Sequence, residues 1–180
     1  ADRSLAVIGR ELRVNQAGFG DTALGWGVSA AGKIAFGPKD RHDIRFMATY
    51  GDGIGRYLGL GYVPDVVFGG TPGARLQTVG NFAGFVAVKF GWTDRLRSTA
   101  TGSYQTSWYP VIASPLNNHA AWSAAGNLFW TAVKGLDVGV EYRHGVRELL
   151  GGQQGSLDRL EFAAKLGRGL GRATCADIGR

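Results

Sequence analysis

Residues Leu136–Arg147 read LDVGVEYRHGVR. Leu136, Val138, Val140, Tyr142, His144 and Val146 share one parity, and Asp137, Gly139, Glu141, Arg143, Gly145 and Arg147 share the other. A β-strand sends successive side chains to opposite sides, so this segment has one greasy face and one charged face. Its length is about twice the ~5–6 residues of a common strand in a water-soluble domain.

The same two-residue period continues outward from this stretch. Leu76–Trp92 places Phe82, Val86, Val88, Phe90 and Trp92 opposite Gln77, Asn81 and Lys89. Ala120–Thr131 sets Trp122, Ala124, Leu128 and Trp130 against Ser123, Asn127 and Thr131, with Phe129 out of pattern. Arg159–Leu166, His42–Tyr50 and Arg95–Ser107 alternate too, and Ala23–Phe36 and Leu5–Val14 do so more weakly. About eight strands result. Short turns are predicted at Gly37–Arg41, Thr93-Asp94 and Val133–Gly135. Longer Gly-rich loops are predicted at Asn15–Asp21, Gly53–Arg75, Trp108–His119 and Leu149–Leu157. Short and long links in strict turn are the mark of an up-and-down meander whose two ends meet different surroundings.

Composition narrows the class. The 180 residues carry 20 Lys+Arg and 14 Asp+Glu, a formal net charge of +6, and only 19% of the residues are charged. Glycine is the outlier, with 30 residues but only 5 prolines and no collagen period. Aromatic residues at 11% argue against disorder. A single cysteine, Cys175, rules out an internal disulfide and a cysteine-based zinc cage. No run of eighteen apolar residues is present, so no membrane-spanning helix is expected. The uncharged stretch Ser98–Val133 is rich in Ser, Thr, Gln and Asn, which is too polar for such a helix. No basic segment followed by an apolar core marks a signal peptide at the N-terminus, which leaves the compartment open.

A long antiparallel meander leaves open edges that invite aggregation unless the sheet closes. In a soluble barrel the apolar face fills the interior; in a membrane barrel the faces swap and aromatic girdles mark both interfaces. Strand lengths near or beyond ~9–11 residues favour the membrane version. So does the placement of Trp92 and Trp130 beside short turns and of Tyr50, Tyr104, Trp108 and Tyr109 beside long loops. The expected fold class is an all-β, antiparallel up-and-down transmembrane β-barrel. Leu58, Phe82, Val86, Leu128, Val138, Val140 and Phe162 should face outward.

Several stretches carry a family resemblance: GWGVSAAGKIAFG (25–37), DIRFMATYGDGIGRYLG (43–59), GFVAVKFGWTDRLRSTATGSYQTSWYP (84–110), NNHAAWSAAGNLFWTAVKGLDVGVEYRHGVREL (117–149) and GSLDRLEFAAK (155–165). From about Leu5 to Lys165 the chain resembles the C-terminal half of DcaP-like porins. The resemblance implies a sixteen-stranded, homotrimeric outer-membrane barrel that passes small anionic solutes such as dicarboxylates. No constriction residue transfers by position. Only about eight strands are present, so the barrel portion 1–166 is expected to form an open half-barrel with exposed edges at Leu5–Val14 and Arg159–Leu166. Eight strands carrying bulky inward arginines would close poorly alone. The tail 167–180 neither alternates nor ends on the aromatic residue usual for such barrels, and is expected to be disordered.

The residues of the charged face supply the candidate solute path: Arg45, Lys89, Arg95, Arg97, Glu141, Arg143 and Arg147. On the odd register the cations Arg13, Lys33, Arg45, Lys89, Arg95, Arg97, Arg143, Arg147, Arg159 and Lys165 outnumber the acids Glu11, Asp43, Asp137, Glu141 and Glu161. Rings of Arg and Lys favour anions in a pore. Arg95 and Arg97 adjoin a short turn and are expected to be end residues, whereas Arg45, Arg143 and Glu141 are expected deeper in the wall.

Other chemistries are poorly supported. Gly27–Ile34 has the Gly-x4-Gly-Lys spacing of a phosphate loop, but Ile34 stands where Ser or Thr must ligate magnesium and no helix pattern follows. Gly51, Gly53, Gly55, Gly59 and Gly61 fit a flexible extracellular loop. His42, His119 and His144 are scattered without metal-ligand spacing, and no nucleophile elbow is present, so neither an enzyme nor a metal or cofactor site is expected. The arginines are spread singly along the strands, which argues against nucleic acid. The expected surroundings are outer-membrane lipid and small anionic solutes. Two alternatives are a closed eight-stranded structural or adhesin barrel in the outer membrane, and a soluble lipocalin-like binder.

Overall fold

In a computed structural model the alternating segments become tall antiparallel strands; the structure describes residues 1–16, 19–58, 61, 63–68, 75–110 and 113–167. Strands β1 (Asp2–Gln16), β2 (Phe19–Phe36), β3 (His42–Asp52), β4 (Val66–Phe68), β5 (Leu76–Thr78), β6 (Gly80–Gly91), β7 (Leu96–Trp108), β8 (Asn118–Val133), β9 (Leu136–Leu149) and β10 (Gln154–Leu166) follow in order. Eight of them form one sheet in the order β1-β2-β3-β6-β7-β8-β9-β10, and β4 pairs β5 in a separate ribbon. The sheet is not closed: β1 and β10 are its two edges. This is the open half-barrel expected from the sequence, and the closed eight-stranded alternative is not what the chain forms. In a lipid-solubilised preparation of this chain, amides in β1 and β10 should exchange faster than those of β6 and β7, because each edge strand has a ladder partner on one side alone.

Register fixes which side chains share a face. Val138, Val140, Leu128, Val86 and Phe46 fall on one face with Val28 and Val7. Phe162 and Leu160 continue that face onto β10. None of these residues is buried, and Val86 at 52% and Phe162 at 79% exposure stay uncovered, as a lipid-facing surface requires. Aromatic rings gather at its two ends. Phe36, His42, Phe90 and Trp92 form a chain of ring contacts 5.3–5.7 Å apart beside the short turns. Trp26, Tyr50 and Trp108 meet edge to face at 5.8 and 6.2 Å near the other end.

The turns at the first end are tight. Lys134-Gly135 links β8 to β9, with Gly135 at φ 89°, a conformation that suits glycine. The longer links differ from the sequence reading. Asn15–Asp21 is no loop, because the β1–β2 ladder runs on to the pair Gln16↔Phe19. Similarly, β10 begins at Gln154 and leaves only four residues after Leu149. The tail 167–180, beyond Gly167, lies outside the described residues.

The chief correction concerns residues 53–79. Among its described residues this link is not an external loop but a strap laid over the inner face of β1–β3. Ile54, Leu58, Val63, Leu76 and Val79 are buried there, and Leu12 is buried below them. Leu58, expected to face lipid, is 1% exposed. Gly27 and Gly51, paired across β2 and β3, form the seat: a Cβ on Gly27 would lie 2.9 Å from the Ile54 side chain, and one on Gly51 3.0 Å from it. The strap is closed on itself by Gly53 N–H donating to the Val79 carbonyl at 3.0 Å and Val79 N–H donating to that of Asp65 at 3.0 Å.

Candidate solute path

The charged residues stand on the face that carries the strap. On the strand register, Arg10, Lys33, Arg45, Lys89, Arg97, Arg143, Arg147, Arg159 and Lys165 share this inner face with Asp2, Asp21, Asp43, Asp137, Glu141 and Glu161. Two assignments change. In β1 the inner parity is even, since Arg10 pairs Gly25 and Leu12 pairs Ala23, so Glu11 and Arg13 lie on the outer face. Arg95, expected as an end residue, precedes β7 and sits in the turn, where its N–H donates to Thr93 Oγ1 at 3.2 Å.

Three groups result. Asp43, 2% exposed, accepts from Arg45 Nε at 2.7 Å and from its Nη2 at 3.3 Å, and lies 3.5 Å from Lys89 Nζ. Lys33 faces Arg45 across the ladder. Two cations therefore pair with one carboxylate, and a third stands beside them. Arg45 is the fourth residue of β3, which places it toward the short-turn end of the wall.

The second group is Arg97, which bonds Asp137 at 2.8 Å and lies 5.2 Å over the Phe129 ring. Phe129, out of the apolar pattern, turns inward and covers Gly139, where a Cβ would come within 2.4 Å of it. Thr131 Oγ1 donates to the other Asp137 oxygen at 2.6 Å. This well-partnered arginine has a structural task that its sequence context did not reveal.

Higher in the wall, Arg143 bonds Glu141 at 2.9 Å, and Asn127 Nδ2 donates to Glu141 at 3.3 Å. Across the β9–β10 ladder Arg143 faces Arg159 and Glu141 faces Glu161, and Arg159 pairs Glu161. The Arg143 side chain keeps 49% of its surface exposed, so its charge remains open to solvent. Arg143 and Arg147 border a cleft of about 680 Å³ with Met47, Phe85, Gln105 and Ser123. Hydroxyl pairs Ser29–Thr49 and Ser103–Ser123, each at 2.7 Å, line the same face between the charged groups. Polar groups thus recur along the inner face between apolar stretches such as Met47 and Phe85.

Some inner residues escaped the sequence reading. Arg10 and Arg56 meet Asp65 on the strap, and nothing in local periodicity links positions 55 residues apart. On the outer face, His144 Nδ1 and Tyr142 Oη both contact Asp158 Oδ1, at 2.8 and 2.6 Å. The signal for that cluster was the ladder register, which alternation alone does not supply.

An antiparallel meander of strands tall enough to cross a bilayer, apolar outside and charged within, is the wall of an outer-membrane β-barrel. The family model described as DcaP outer membrane protein matches residues 11–168, and the chain belongs to that family. The fold is similar to the crystal structure of the outer membrane channel DcaP of Acinetobacter baumannii, with a TM-score of 0.72 and 22% identity over 91% of this chain and 46% of that one. The chain spans about half the length of that channel. No curated protein matches it.

Proposed function

We propose that the chain forms half the wall of a diffusion channel for small hydrophilic solutes that prefers anions, with no catalytic step. The supporting observation is the inner face, where Arg45 and Lys89 share Asp43 with Lys33 beside them and Arg143 keeps half its surface open. A guanidinium offers a planar fork for carboxylates, and rings of Arg and Lys raise the local anion concentration in a pore. Solutes with two carboxylates suit a wall whose cations recur along neighbouring strands, which agrees with the dicarboxylates implied by the family resemblance. The same resemblance implies a homotrimer.

Planar-bilayer recording on the full-length protein tests this reading. A salt gradient is expected to give a reversal potential of the sign produced by anion flow. A cation-selective or non-conducting protein would sink the proposal, and sedimentation in detergent checks the trimer.

A further inference from the structure

The strap carries a charge cluster that the wall alone does not explain. Asp65 is buried, and both its oxygens are engaged. Oδ1 accepts the Arg56 backbone N–H at 2.9 Å. Oδ2 accepts Arg56 Nε at 2.5 Å and Arg10 Nη1 at 3.0 Å. Arg10 belongs to β1, and it also lies 5.3 Å over the ring of Tyr57 and donates to the Gly53 carbonyl at 3.4 Å. One carboxylate thus ties the strap to the wall and fixes the direction of a second arginine. The two guanidiniums are not equivalent: the Arg10 side chain is 16% exposed, the Arg56 side chain 66%.

We propose that Asp65 is the positioning residue of the strap, and that Arg56, aimed by it, is a selectivity-determining cation of the solute path. The inference rests on the channel reading above. Arg10 is consumed in anchoring, since most of its surface is covered and its charge is shared with Asp65. Arg56 keeps its outer edge in water on the inner side of the wall, where an anion can approach it. Without Asp65, two arginines would be left facing one another without their acid, and only the 3.4 Å bond from Arg10 to the Gly53 carbonyl and its contact with the Tyr57 ring would tie the strap to β1. The packing of Ile54 on Gly27 and Gly51 would remain, so the strap would loosen without leaving its seat.

The test is single-channel recording of the full-length protein with three variants, each first checked for a heat-modifiable, folded barrel. Asp65→Asn is expected to raise open-channel current noise about twofold, because the strap gains freedom. Arg10→Met cuts the attachment from the wall side and should raise the noise likewise; it carries the test if Asp65→Asn does not fold. Arg56→Gln retains the backbone bond to Asp65 and the Arg10 pair. It should keep the noise near the parent level and lower the anion-to-cation permeability ratio about twofold. Parental noise in the first two variants would overturn the positioning role. A parental permeability ratio in Arg56→Gln would overturn the selectivity role. A parent protein that does not conduct would instead overturn the channel reading, so the two failures are distinguishable.

Discussion

Replacing both Arg45 and Arg143 by Glu is expected to turn an anion-preferring channel into a cation-preferring one, with the permeability ratio changing about tenfold. The size follows from what surrounds each residue. Lys33, Asp43, Arg45 and Lys89 form a group with two positive charges in excess, which Arg45→Glu brings to neutrality. Glu141, Arg143, Arg159 and Glu161 balance one another, and Arg143→Glu leaves that group two charges negative. The two substitutions do not carry equal structural risk. Asp43 is nearly fully buried and loses a two-pronged partner, although Lys89 remains 3.5 Å away. A buried carboxylate that loses a partner costs several kcal/mol. Arg143 is half exposed, so Arg143→Glu alone is the safer variant and should shift the reversal potential in the same direction. Reversal potentials in a salt gradient measure both, and unchanged selectivity in folded variants would place control of the path outside these strands.

The fold was legible because alternation is a local property of the sequence. Any window such as Leu136–Arg147 shows its two faces without knowledge of its neighbours, and open edges followed from the strand number. Phase failed where both faces of a strand are apolar. In β1, Leu5 and Val7 face outward, but Ile8 and Leu12 face the strap, so apolar residues occupy both parities and Glu11 and Arg13 were read onto the wrong side. The strap itself left a trace that went unread. Ile54, Leu58 and Val63 are unusually apolar for an external loop, and Gly25, Gly27 and Gly51 leave a bare patch on the wall for them to cover. The candidate site was half legible for a related reason. Charges adjacent along one strand, such as Glu141 with Arg143, are visible in sequence, whereas Arg10 with Asp65 and His144 with Asp158 meet only through chain reversal and register.

Val86→Arg and Thr101→Arg should have opposite fates, although the two positions lie on adjacent paired strands. Val86 sits in the middle of β6 on the face shared with Leu128 and Val140, and its side chain is uncovered. Thr101 pairs with Ala87 and Ala125, on the face of Arg143 and Lys89. If the outer face meets hydrocarbon, an arginine at 86 costs about 2–4 kcal/mol near the bilayer midplane. An arginine at 101 meets water and two small neighbours, and should cost well under that. A soluble barrel would reverse the order, because an outward arginine would then be solvated and an inward one buried in a dry core. Reversible unfolding of the full-length barrel from lipid bilayers by guanidinium reads both costs. A large loss at 86 with a small one at 101 is the expected pattern. The opposite pattern would contradict the membrane orientation of every strand in the sheet, since the register locks all eight to the same choice of face.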